Sequence, residues 1–259
     1  MTRSKPYSRQ ALSCFQEPTP QWQPKKPPRN YQANGQTYEG ILVRPDTPGD
    51  LTGVSVLIAH DFLGPGENQL TLARDFASQG ALVLVADLYG KGRRPDGFEE
   101  ANAFALALRE DVGALRTTMQ SALAALMAEG GALDRTLVLG SSVGGLAALE
   151  LGRTGATVGH IAAMWSVIET TAPDSANPFQ SPATVMQGTV DPLGDAEAIA
   201  ELRAELEAAD VPFNIVTYDA VAHAFTLPFV GDDPSTGFAY DADAHSDTSR
   251  RLQEILAGL

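Results

Sequence analysis

Short apolar runs alternate with longer segments of helical spacing along most of this chain, and that alternation leaves few folds open to it. The runs cover residues 40–43, 54–59, 82–86, 136–139, 160–165, 183–186 and 213–218. Several are unbroken stretches of Val, Ile, Leu and Ala, the composition of parallel strands covered on both faces. Between them, Phe104, Leu108, Val112, Leu115, Met119, Leu123 and Leu126 recur at steps of three and four, which predicts one helix with a single apolar face. Residues 68–79, 144–153, 196–209 and 243–257 read as further helices. Such a succession implies an α/β fold with a mostly parallel central sheet, right-handed crossovers and helices on both faces. Ligands of these sheets bind beyond the carboxyl ends of the strands, so chemistry is expected in the loops that follow the runs.

Residues 1–36 have a different texture, with Pro18, Pro20, Pro24, Pro27 and Pro28 at a density that sustains neither a helix nor a central strand. They read as an extended N-terminal arm, and residues 37–259 as a single domain. With 44% hydrophobic and 19% charged residues, the chain can bury a sizeable core. Its net charge of −14 repels phosphate backbones and argues against a nucleic-acid partner. No uninterrupted apolar run approaches the ~18 residues of a membrane span, and no signal-peptide core stands near the start, so a cytoplasmic location without membrane association is expected. The lone cysteine, Cys14, implies no intrachain disulfide and lies far from every motif below.

The run at 136–139 leads into Gly140-Ser141-Ser142-Val143-Gly144-Gly145, and a helical pattern follows at once. A G-x-S-x-G turn between strand and helix throws a serine outward, and glycines two before and two after let the backbones pass. Ser142 is therefore the candidate nucleophile, with the positive end of the next helix beneath it. A glycine turn that merely packs the helix on the strand is the plainer alternative.

A serine hydroxyl needs a base within reach, and the partners follow it in the order acid, then histidine. Downstream of Ser142 lie His223 and His245. His245 sits in a polar stretch and reads as solvated, whereas His223 falls in the loop after the run 213–218. His160 begins a strand and reads as structural. Asp191 follows the run 183–186 in a Gly/Pro loop, where a carboxylate can orient the imidazole and stabilise its charged form. Asp219 is the weaker competitor, Asp174 and Asp210 follow no strand end, and Asp195 reads as a helix cap. For the oxyanion, the Val143 N–H is one expected donor. The other is the Phe62 N–H, in the glycine-bearing loop after the run 54–59.

In order and spacing, His60-Asp61-Phe62-Leu63-Gly64, Ala86-Asp87-Leu88-Tyr89-Gly90, the serine elbow, Gly188-Thr189-Val190-Asp191-Pro192 and His223-Ala224-Phe225-Thr226 resemble the dienelactone hydrolase family of α/β-hydrolases. The resemblance spans roughly residue 38 to the end. It implies a hydrolase domain of the α/β-hydrolase fold without a large cap, and a nucleophile–His–Asp triad. It also implies an acidic residue at Asp61, which in founding members helps to activate a thiol. Founding members carry cysteine where this chain has Ser142, and two arginines that grip the substrate carboxylate where it has Lys91 and Leu227. A leucine binds no anion, so the expected substrate is a less charged small ester or lactone, cleaved through an acyl-serine intermediate. Asp61, His60 and Lys91 are the expected supporting or substrate-contacting residues, with Arg93 and Arg94 as possible substitutes for the missing cations. A non-catalytic binding protein on the same fold, and an acyltransferase or peptidase using the same triad, are the rival readings. No cofactor or metal is expected, since Asp232 and Asp233 have no histidine at ligand spacing.

Overall fold

The computed structural model describes residues 29–172 and 178–259. The strands are β1 (Arg29–Ala33), β2 (Gln36–Val43), β3 (Ser55–Ala59), β4 (Leu82–Ala86), β5 (Thr136–Ser142), β6 (His160–Ser166), β7 (Ala183–Gly188) and β8 (Phe213–Tyr218). The helices are α1 (Glu67–Ser78), α2 (Phe98–Glu110), α3 (Val112–Ala128), α4 (Val143–Gly152), α5 (Ala196–Ala208) and α6 (Ala242–Ala257). The strands form one sheet in the order β1-β2-β4-β3-β5-β6-β7-β8. β1 and β2 form an antiparallel hairpin, β2 is antiparallel to β4, and every later pairing is parallel. Strands β3 and β5, at the centre, are buried at every residue, as their unbroken apolar runs predict.

Gly140 fixes which face is which. A Cβ there would stand 1.9 Å from the Gly144 carbonyl oxygen, so β5 touches α4 at this point. Gly144 is equally constrained, since a Cβ would lie 2.4 Å from the carbonyl oxygens of Ala59 and His60. Ala59 pairs with Gly140 and Met164 with Ser141, so Ile58, Leu139 and Met164 turn to the opposite face, which α1 and α6 cover. On the α4 side an ion network ties three helices together. Arg116 of α3 pairs with the fully buried Glu150 at 2.7 Å, and Arg153 bridges Glu150 at 2.9 Å and Glu205 of α5 at 2.7 Å. Each buried charge has an opposite partner, the condition for tolerating it in the interior.

Three expectations are corrected. The arm does not reach residue 36, because residues 29–33 pair with β2 across a turn whose Asn34 and Gly35 both have positive φ, 50° and 74°. Asn-Gly is the strongest short hairpin signal, and the hairpin closes on it. Residues 1–28, including Cys14, lie outside the described residues. The long helix through 104–126 is two helices, divided at Asp111, whose side chain accepts from the Ala114 N–H at 2.9 Å and caps α3. β5 also runs on through Ser142 rather than stopping at Leu139. No helix among the described residues is long and apolar enough to cross a membrane.

Candidate active site

Ser142 closes β5 with φ 55° and ψ −126°, and Val143 begins α4. A residue with a Cβ is strained there, and such strain persists only where surrounding structure imposes it. The Gly140 and Gly144 contacts supply that constraint from both sides. The pairing of β5 with β6 slips between Ser141 and Ser142, so the strand turns out of register at the serine itself.

His223 comes from the loop after β8. Its N–H donates to the Gly237 carbonyl and its carbonyl accepts from Ala239 N–H, both at 3.0 Å, which pins the backbone on either side of the ring. Trp165 and Phe238 meet the imidazole edge to face, with centroids 5.0 and 5.1 Å away. Asp191 sits in the loop after β7. Its Oδ1 accepts from Leu193 N–H at 2.8 Å, and its Oδ2 lies 2.8 Å from His223 Nδ1. With Nδ1–H donated to the carboxylate, Nε2 is left as the acceptor, and it stands 3.0 Å from Ser142 Oγ. Serine, histidine and aspartate are all buried, at 0, 1 and 2% exposure. A strand end and two loops from separate parts of the chain thus converge in one hydrogen-bonded relay.

Gln187 is the residue that sequence reasoning missed. Its Nε2 donates to Asp191 Oδ2 at 2.8 Å, and its Oε1 accepts from Ser166 N–H at 2.8 Å. It therefore holds the carboxylate and locks the end of β6 to that of β7. The available signal was a polar side chain inside an otherwise apolar strand end.

The two expected oxyanion donors follow paired strands. Ala59 is opposite Gly140, so Phe62 and Val143, each three residues further on, emerge at the same sheet edge. The Phe62 carbonyl accepts from Tyr89 OH at 2.8 Å, which anchors this loop against the one after β4.

His60 and Asp61 do not join the relay. His60 Nδ1 donates to the Asp61 carbonyl at 2.6 Å and Nε2 accepts from Leu88 N–H at 3.0 Å, so the ring braces the loops after β3 and β4. Burial lowers its pKa to about 4, which keeps it neutral. Asp61 is buried, with Oδ1 accepting from Leu63 N–H at 2.9 Å and Oδ2 from Asn68 Nδ2 at 3.2 Å and Gln69 Nε2 at 2.9 Å. Burial raises its pKa, and those donors oppose the rise. Lys91 Nζ pairs with Glu39 of β2 at 3.3 Å and is more than half exposed. Arg93 is likewise committed, stacked 4.5 Å over Phe104, and Arg94 pairs with Asp87 at 3.4 Å.

Of the other histidines, His160 Nε2 meets Thr184 Oγ1 at 2.9 Å, a structural contact. His245 is partly buried against Tyr240 OH at 3.3 Å, contrary to the expected solvated position. Asp195 caps α5 through Ala198 N–H at 3.1 Å, and Asp219 receives only a 3.4 Å contact from Thr189. Asp174 lies outside the described residues. Among the described residues no group of three or more His, Cys, Asp or Glu is arranged to hold a metal ion.

The model of the dienelactone hydrolase family matches residues 38–258. Among solved structures, one named m3DLH is 27% identical with a TM-score of 0.77, over 88% of this chain and 95% of that one. A dienelactone hydrolase-like promiscuous phosphotriesterase from metagenomic libraries is 24% identical with a TM-score of 0.78, over 89% and 96%. A dienelactone hydrolase-type structure from Klebsiella pneumoniae is 16% identical with a TM-score of 0.72, over 88% and 95%. A search of curated proteins finds no match.

Proposed function

The chain belongs to the dienelactone hydrolase family of α/β-hydrolases, and from that premise we propose that it cleaves small carboxylic esters or lactones through an acyl-Ser142 intermediate. The observation that carries the proposal is the chain of contacts from Ser142 Oγ through His223, at 3.0 Å, to Asp191, at 2.8 Å. Family membership supports hydrolysis as the reaction type.

His223 Nε2 takes the hydroxyl proton as Ser142 Oγ bonds to the substrate carbonyl carbon. Asp191 keeps the ring in the tautomer with Nδ1–H and stabilises the imidazolium that forms. The carbonyl oxygen becomes an oxyanion and takes hydrogen bonds from the N–H groups of Val143 and Phe62. As the tetrahedral species collapses, the bond to the alcohol oxygen breaks and His223 returns the proton to that oxygen. Water then repeats the sequence on the acyl-enzyme: its proton goes to His223, its oxygen bonds to the acyl carbon, and Ser142 leaves reprotonated.

The substrate need not be an anion. The position of the second family arginine is Leu227, and Lys91, Arg93 and Arg94 are all engaged elsewhere. The test is a panel of aryl esters, lactones and dienelactone, with mass analysis of the Ser142 peptide after brief exposure to an activated ester. Acyl mass on that peptide and a burst of alcohol equal to the enzyme concentration are expected. Labelling by a fluorophosphonate elsewhere than Ser142, or full turnover in Ser142→Ala, overturns the reading.

A further inference from the structure

A pocket of about 270 Å³ opens on the α1/α6 face of the sheet, lined by neighbours of the relay rather than by Ser142, His223 or Asp191 themselves. Ile58, Leu139 and Met164 form its floor, Leu72 of α1 and Leu252 of α6 its walls. Leu227, where the family places an anion-binding arginine, and the exposed Phe229 overhang it. None of its described lining residues is lysine or arginine.

Four polar side chains on its wall are already occupied, and the hydroxyls of Thr71, Ser141 and Ser249 line it as well. Asn68 and Gln69 donate to Asp61, Thr248 meets Tyr218 OH at 3.0 Å, and His245 meets Tyr240. An entering group therefore gains chiefly by removing apolar surface from water. Two residues join the pocket to the relay. Ser141 immediately precedes Ser142, and Trp165 both lines the pocket and meets the His223 ring, held by its Nε1–H to Thr226 Oγ1 at 2.9 Å.

We infer that this slot takes the acyl chain of the substrate, and that the chain is apolar and uncharged at its far end; the inference rests on Ser142 as the nucleophile. At about 30 Å³ per water-sized group the slot holds roughly nine such groups, which suits an acyl chain of about six to ten carbons. The acyl portion is the right occupant because it stays bonded to serine while the alcohol leaves and water enters. A slot with a sheet floor and two helical walls suits the part that remains. Thr71 and Ser249, on its rim, are exposed, so the outer end is open and longer chains run out into solvent.

The test measures kcat/KM for p-nitrophenyl acetate, butanoate, hexanoate, octanoate and decanoate, and for the octanoate analogue ending in a carboxylate. A rise of about two- to four-fold per methylene is expected until the slot fills, followed by a plateau. The carboxylate-ended ester is expected at least tenfold below octanoate. Thr71→Trp and Ser249→Trp, at exposed helix positions, are expected to lower the octanoate-to-acetate ratio at least tenfold while circular dichroism and Tm show an intact fold. Calorimetric titration with octanamide and acetamide provides a readout without turnover, and only octanamide is expected to bind. A flat acyl profile in an active enzyme overturns the inference and leaves the serine reading standing. If no ester is cleaved, octanamide binding keeps the slot and sinks the serine reading, whereas absence of that binding overturns the slot on its own.

Discussion

Gln187 Nε2 and His223 Nδ1 share one oxygen, Asp191 Oδ2, each at 2.8 Å. A carboxylate oxygen with two donors cannot swing without losing one of them, so the amide sets where the aspartate can hold the imidazole. Its other end accepts from Ser166 N–H, which couples this geometry to β6.

Gln187→Leu removes the donor to Asp191 and leaves the buried Ser166 N–H without its acceptor. An unsatisfied buried donor costs about 1–3 kcal/mol of stability. A misplaced imidazole lowers kcat, by up to about 100-fold for a displacement near 1 Å. Steady-state kinetics on an ester, together with urea unfolding, check both effects. Wild-type kcat in a folded Gln187→Leu protein would remove Gln187 from the positioning of Asp191.

Ser142 offers a separation of strain from chemistry. Its φ of 55° is imposed by the elbow, and a positive φ in a non-glycine residue costs on the order of 1–3 kcal/mol. Ser142→Ala and Ser142→Gly are both expected to lose ester turnover by roughly 10⁴-fold or more. The glycine variant relieves the backbone and the alanine variant does not. Ser142→Gly is therefore expected to unfold at higher urea than Ser142→Ala, by about 1 kcal/mol or more. Equal midpoints would mean that the elbow stores no strain at this residue.

The serine, the histidine and the aspartate were legible because each obeys a local rule. The elbow needs glycines at fixed offsets, and the partners need loops that leave the carboxyl ends of strands. Other features were set by contacts that no local pattern records. Leu108, Val112 and Leu115 keep one helical spacing across the break at Asp111, so periodicity runs through a cap that only the Ala114 N–H reveals. The Asn34-Gly35 turn was hidden by the proline-rich context before it. His245 has a polar local sequence, and only the approach of α6 to α1 brings it to the pocket wall. Lys91 stands where the family keeps a substrate-binding arginine, but Glu39 of β2 pairs with it.

His60 gives the fold an acid sensitivity whose direction is fixed. Its pKa falls from the ordinary 6.5 to about 4 because the ring is buried and Nε2 is engaged by Leu88 N–H. The unfolded chain takes up the proton first as pH drops. The contribution is complete above pH 6.5 and is lost progressively as pH falls from there through about 4, up to about 3 kcal/mol. His160, also lowered to about 4 by burial, acts in the same sense. His245, lowered by burial as well, is a third such group. His60→Gln removes one of the three, so its urea midpoint is expected to fall less than that of the wild type between pH 6.5 and 4. An unchanged acid slope would show that His60 titrates normally in the folded protein.

Asp61, the next residue, pulls the other way. Burial raises its pKa above 3.8, against the donors from Leu63, Asn68 and Gln69, so the folded chain holds this proton more tightly than the unfolded chain. Its stabilising effect is full below pH 3.8, is lost as pH rises through the raised value, and stays constant beyond it. Asp61→Asn carries no titrating group, but it sets its own N–H₂ toward two amide donors, which costs stability at every pH until Asn68 or Gln69 turns over. The intercept therefore mixes two effects, whereas the slope isolates one. The stability of the wild type relative to Asp61→Asn is expected to decline as pH rises above 3.8 and to level off beyond the raised pKa. Urea midpoints at half-unit steps of pH measure it. A difference that stays flat, or that grows with pH, would mean that the carboxylate is ionised in the fold at no cost and that its three donors outweigh its burial.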